Sequence, residues 1–306
     1  FELSVSWRDQ FQLASKPFNY EVRFTLADYQ STIDKYNNPE KKLGDDYYYE
    51  GMKVGEIWGY ETEGFFTSQA DIDSHAKQPY FYAGATAGQW LPGDIKFKDL
   101  NGDGVIDYGN NTVDNPGDQK IIGNSEPRFI YGINLSGDWN NFFVSAFFQG
   151  VGKQDWWPGS EASYFWGMYN RPYNDMPKSH LGNIWTEENP NTYFPRLRGY
   201  SSEEPYAELN LKQTRYLQNI AYIRMKNIQL GYTLPKSFIS KLRMQNAKVY
   251  VSGENLWSWS PFYKYSKDLD VEAVRGSDRD LTEGTSGNGY SYPILKSVSF
   301  GLSVTF

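Results

Sequence analysis

The chain has 306 residues, a formal net charge of −7 and no cysteine, with a sequence pI of about 5.1. An acidic chain is not built for a phosphate backbone, so no nucleic-acid partner is expected. The missing thiol excludes disulfides, thiolate metal centres and a cysteine nucleophile, and two histidines are too few for a multi-histidine centre.

Alternation with a period of two marks the strands. In "FELSVSWRD" Phe1, Leu3, Val5 and Trp7 share one face, and Glu2, Ser4, Ser6 and Arg8 the other. "FNYEVRFTL" repeats the pattern from Phe18 to Leu26, "RFIYGINLSG" from Phe129 to Leu135, and "FFVSAFFQG" from Phe142 to Phe148. Further strands are predicted over 219–233 and 246–258, with a short helical turn over 236–242 after Pro235. The closing "SVSFGLSVTF" is the cleanest: Val298, Phe300, Leu302, Val304 and Phe306 alternate with Ser297, Ser299, Gly301, Ser303 and Thr305.

No run approaches 18 apolar residues, so no helix here spans a bilayer, and residues 1–20 lack the pattern of a signal peptide. The chain starts on a strand residue, Phe1, as a mature start or a fragment does. The outlier is the aromatic content, 18% of residues, beside a mean hydropathy of −0.67. A soluble β-sandwich, a carbohydrate-binding module and an outer-membrane barrel all fit that combination, the barrel because its alternating wall keeps mean hydropathy low.

The connections separate these readings. They run over 10–17, 30–127, 138–140, 152–218, 234–245 and 259–293, short and long in strict alternation. Transmembrane barrels have short turns on one side and long loops on the other. Long connections without regular structure are uncommon in compact soluble domains. The pattern therefore favours an antiparallel transmembrane β-barrel with its large excursions on the outer side. Trp7, Trp139, Trp257 and Trp259 are expected near strand ends, as interfacial anchors.

The segments "GEIWGYETEGFF" (55–66), "PGDIKFKDLNGDGVID" (92–107), "IIGNSEPRFIYGINL" (121–135) and "FFVSAFFQGVG" (142–152) follow one another along the chain. "YIRMKNIQLGYTLP" (222–235), "VYVSGENLWSW" (249–259) and "SFGLSVTF" come after them. Set out in this order, they resemble the SusC/RagA-type TonB-dependent outer-membrane transporters. The resemblance covers nearly the whole chain. It implies that residues 1–306 are the C-terminal part of a barrel of about 22 strands, with the plug domain and earlier strands absent from this chain. It also implies an importer of oligosaccharides or peptides, a SusD-like surface lipoprotein as partner and coupling to the TonB complex through the missing part. Contact with outer-membrane lipid and a dimer of transporter–lipoprotein pairs are consistent with it.

Two clusters could carry chemistry. "DLNGDGVID" (99–107) has the spacing of the first part of an EF-hand-type calcium loop. Asp99, Asn101 and Asp103 would supply side-chain oxygens, Val105 its carbonyl and Asp107 a further oxygen, with Gly104 at the sharp turn. The twelfth position holds Asn110 instead of a bidentate Glu, so Asp114 or Asp118 would have to complete the shell of a structural calcium ion. A metal-free Asx-rich turn explains the same residues. The second cluster is aromatic: Trp156, Trp157, Tyr164, Trp166 and Tyr169 lie in one outer connection. They would contact a sugar substrate or a partner protein, or pack the loop's own core.

Acid pairs in "TEENP" (186–190) and "SSEEP" (201–205) read as solvated surface, and no nucleotide-binding loop or nucleophile elbow is present, so no enzyme is expected. Against the importer stands a soluble, aromatic-rich carbohydrate-binding or glycan-processing β-protein with a calcium loop. A need for detergent separates the two.

Overall fold

The computed structural model describes residues 1–79, 90–160, 162–171, 173, 175–203, 207–274 and 293–306. Part of the acid-rich stretch 201–205 and most of the predicted connection 259–293 lie outside them.

Seven long strands form one antiparallel sheet: β1 (Glu2–Leu13), β2 (Lys16–Ala27), β7 (Arg128–Trp139), β8 (Phe142–Lys153), β11 (Tyr222–Thr233), β12 (Asn246–Trp259) and β13 (Ser297–Thr305). They pair in chain order, with β1 and β13 at the two edges, so the barrel wall is not closed among the described residues. Strands of 12 residues exceed the roughly 9–11 that cross a bilayer at a tilt.

At one end the connections are tight. Ala14–Ser15 and Asn140–Asn141 all take positive φ, the geometry of the two-residue turns whose twist matches antiparallel strands. The Trp139 indole donates to the Leu13 carbonyl at 2.9 Å, joining the two turns. The third short connection holds α3 (Lys236–Ile239) after Pro235, as predicted.

Residues directly opposite in antiparallel strands share a face, so the register extends each strand's alternation across the whole sheet. One row runs Trp7, Val22, Leu135, Ala146, Ile228, Gly253, Val298. Nearer the tight turns, Phe11, Phe18, Trp139, Phe142 and Tyr232 stand side by side. Ring centroids there are 5.0 Å apart for Phe11–Phe18 and 4.7 Å for Phe142–Tyr232. This belt of rings sits where barrels carry an aromatic girdle. The opposite face is polar: Arg8, Glu21, Ser136, Ser145, Gln229, Ser252 and Ser299 form a single row. Glycine serves packing on this face. A Cβ at Gly231 would sit 2.2 Å from the Phe143 ring, and one at Gly301 2.1 Å from the Tyr250 ring, so each ring lies flat over its paired glycine.

One anchor expectation needs correction. Trp139 and Trp259 end their strands, but Trp7 stands in the middle of β1, on the apolar face. Its row contains no other aromatic, so it belongs to the belt's interior and not to its rim.

The excursions at the other end are structured, against the expectation of irregular loops. The first holds β3 (Glu56–Tyr60), β4 (Thr62–Phe65), α1 (Gln69–Ser74), β5 (Ile95–Phe97) and β6 (Gln119–Asn124). The second holds β9 (Asp155–Trp156), α2 (Ser163–Trp166) and β10 (Gln218–Asn219). Pairs β3–β6, β4–β5 and β9–β10 are small separate sheets. Strands this short carry too few alternations to register as a period.

Candidate functional site

The excursions do not stand apart. Tyr60 and Phe97 from the first, Trp156, Phe165, Trp166 and Tyr216 from the second, and Phe262 and Val271 from the third belong to one buried cluster. The first and second also share backbone bonds: Tyr60 N–H to the Lys212 carbonyl at 2.8 Å, and Thr214 N–H to the Tyr60 carbonyl at 3.0 Å. A single cap therefore covers this end of the sheet, held mainly by aromatic burial.

That burial corrects the expected contact cluster. Trp156, Trp157, Trp166 and Tyr169 are 1%, 6%, 0% and 0% exposed. The Trp166 indole donates to the Pro158 carbonyl at 3.0 Å and the Tyr169 hydroxyl to the Pro195 carbonyl at 2.5 Å, so even their polar ends face inward. They are core, and water exclusion is the reason: large indole and phenol side chains in a long loop gain more by packing together than by staying in solvent. Tyr164 alone of the five is outward, at 53% exposure.

Loop 99–118 is held by its own side chains. Asp99 accepts from the N–H of Gly102 at 2.6 Å and of Gly104 at 2.9 Å, Asn101 from Asp103 at 2.9 Å, and Asp103 from Val105 at 2.8 Å. Asp107 accepts from Gly109 at 2.7 Å. Gly102 and Gly104, at φ +77 and +83, supply the left-handed turns. Asp118, eleven positions beyond Asp107, enters from β6's approach and accepts from Leu100 at 2.7 Å and Asp107 at 2.9 Å. Burial and the neighbouring Asp99 charge both push its pKa up. The donor set is all oxygen, which suits calcium, although no three acidic or histidine side chains among the described residues converge as a metal shell.

Three ionic clusters, which strand and motif reading missed, tie the cap together. Asp28 and Arg128, at the two ends of the first excursion, form a bidentate ion pair in which the guanidinium donates at 2.5 and 2.6 Å and holds the Asp28 carboxyl down at about 2. Asp94 in the first excursion meets Arg196 at 2.5 Å and also Arg198 in the second. Glu208 lies 3.9 Å from Arg198 and accepts from the Ile95 N–H at 2.9 Å. Full burial, then the Asp94 charge, push the Glu208 carboxyl up to about 8. Arg224 on β11 meets Asp270 at 2.6 Å and Glu272 at 3.0 Å, pinning the third excursion to the polar face of the wall. The only sequence signal was the alternating arginines of "PRLR" (195–198) and the "YIRMK" (222–226) basic pair, each inside an otherwise apolar stretch.

No family model matches the chain. TonB-dependent receptor P3 of Formosa agariphila is 29% identical over 259 residues, which are 84% of this chain and 22% of that protein. TonB-dependent receptor P26 of the same organism is 29% identical over 264 residues, again 84% of this chain and 23% of that one. The structure of the RagAB peptide importer in its open-open state superposes with a TM-score of 0.60 at 18% identity, covering 100% of this chain and 28% of that one. In sequence the chain is similar to TonB-dependent receptors over most of its length, and in fold to part of the RagAB importer. It spans between a fifth and a quarter of the length of the curated relatives it matches, and its fold is that of part of a RagA-like barrel. The relatives are named as receptors and importers, not as enzymes, which fits the absence of a catalytic motif.

Proposed function

We propose that the chain forms part of the wall and outer cap of an outer-membrane importer that takes up oligosaccharides or peptides with energy delivered through TonB. The remaining strands and a plug would be supplied by the rest of the transporter. The observation that carries this reading is the pairing of an apolar belt with one packed cap. Rows such as Val5, Phe24, Ile133, Phe148, Met225 and Trp257 keep apolar side chains together across the strands, and all three excursions rise from the same end into one core. A wall between lipid and a wet lumen requires the first, and a ligand-handling outer face accounts for the second.

A cap of this size also fits a surface lipoprotein of the SusD kind seated over the barrel, in line with the lipoprotein partner expected from the sequence. Tyr164 and the neighbouring Tyr173, 53% and 82% exposed, are the aromatic groups this reading assigns to such a contact. Purification of the intact transporter in mild detergent should recover a lipoprotein in near-stoichiometric amount. A transporter that purifies alone, and imports at full rate in cells lacking that lipoprotein, would refute the partner.

A further inference from the structure

A cleft of about 450 Å³ opens between the first and second excursions, beside the cap's main core. Its back wall is a separate small cluster, Tyr49 and Met52 with Trp58 packed against them. The Tyr49 hydroxyl donates to Glu56, and the Trp58 indole donates to the Tyr49 hydroxyl at 3.3 Å, so both rings are fixed. At the mouth Tyr47 is 46% exposed. The facing wall, residues 210–212, cannot drift: it is bonded to Tyr60, and a Cβ at Gly59 would sit 2.4 Å from the Lys212 carbonyl. The cleft is therefore preformed, and its size lies within the roughly 300–1,000 Å³ of ligand sites.

Its chemistry narrows the ligand. Lys212 brings a cation to the lining, but Asp45 across the mouth neutralises it, so a phosphate or a carboxylate finds no surplus positive charge. Polar groups interrupt the apolar surface too often for a lipid chain. Of the ways peptides are bound, strand addition needs an open strand edge and capture of chain ends needs charged groups. Here β3 is paired to β6 on one side and bridged to Gln213 at its end. What the cleft does offer is aromatic surface beside anchored amides. The Gln119 amide nitrogen is held by Asn111 at 3.3 Å and the Asn210 nitrogen by the Glu203 carbonyl at 3.3 Å, turning each amide by its donor end and leaving its oxygen as an acceptor. Ring C–H faces stack on aromatic planes while hydroxyls donate to such oxygens.

We propose that this cleft binds one or two rings of a neutral oligosaccharide, held by Tyr47 and Trp58 with Asn210 and Gln119 as hydroxyl acceptors. The inference rests on the importer reading only for the sugar's onward fate; binding stands by itself.

The test uses the intact transporter in detergent on an array of neutral α- and β-linked glucose, galactose, mannose and xylose oligosaccharides, with a random nonapeptide pool alongside. At least one oligosaccharide should bind, at least tenfold more weakly after Tyr47→Ala or Trp58→Ala and unchanged after Phe238→Ala on the tight-turn side. Tyr47 is half-exposed, so its variant folds even if Trp58→Ala does not. An array with no bound member, binding that survives both aromatic changes, or peptide capture that those changes abolish would each overturn the proposal. Lipoprotein recovery, which tests the importer reading, is independent of all three results.

Discussion

Arg224 on β11 and Asp270, 46 positions later, meet at 2.6 Å with side chains only 5% and 7% exposed. The contact links a barrel strand to the third excursion on the polar face, and Glu272 adds a second carboxylate at 3.0 Å. Removing one partner of a buried pair leaves the other charge without compensation. Arg224→Ala should therefore destabilise this junction by about 3–5 kcal/mol. Limited proteolysis would show it as new cleavage within 260–274 while the sheet stays resistant. An unchanged digestion pattern would mean that aromatic packing alone holds the excursion.

Glu208 gives the cap a pH dependence. Its carboxyl is raised to about 8 when folded, against an ordinary unfolded value near 4.3. The folded form binds the proton more tightly, so its contribution is fully present below the unfolded pKa and is lost as pH rises through about 8. Thermal unfolding of the cap should fall in temperature between pH 6 and pH 9. Glu208→Gln, which keeps the shape and removes the titration, should flatten that fall; an equally steep profile in the variant would assign it to another group.

The two faces of β13 make opposite demands. Phe300 and Leu302 are 87% and 67% exposed on the belt side, while Ser303 lies opposite Lys248 on the polar side. Val298→Arg, in the mid-wall row of Trp7, should cost about 2–4 kcal/mol, and Ser303→Arg much less. Heat-modifiable migration of the assembled barrel on gels reads the difference. Equal tolerance at both positions would remove the membrane assignment.

Loop 99–118 concentrates Asp99, Asp103, Asp107 and Asp118, and burial, with the Asp99 charge adding to it, raises the Asp118 pKa. A calcium ion held by these oxygens would relieve that repulsion. Calcium should slow proteolysis of residues 94–118 in the intact transporter, a chelator should restore cleavage, and Asp103→Ala should abolish the difference. No response to either would leave the Asx-turn hydrogen bonds as the loop's whole support.

The long strands and the side of each short turn were legible in the sequence because a strand's facing depends on local alternation alone. Val298 to Val304 cannot all change face without a slip of the entire register. The turn at Asn140–Asn141 was equally local, since asparagine tolerates the left-handed backbone it requires. The fate of Trp156, Trp157, Trp166 and Tyr169 was not: an aromatic residue looks the same in sequence whether a ring from another excursion covers it or solvent does. Their burial depends on Phe262, more than a hundred positions beyond Trp156, arriving 5.8 Å from it. The ion clusters had the same character. Arg224 to Asp270 and Asp94 to Arg196 join residues with no shared local pattern, and only folding brings their charges together out of water, where pairing decides between a stable junction and a costly buried charge.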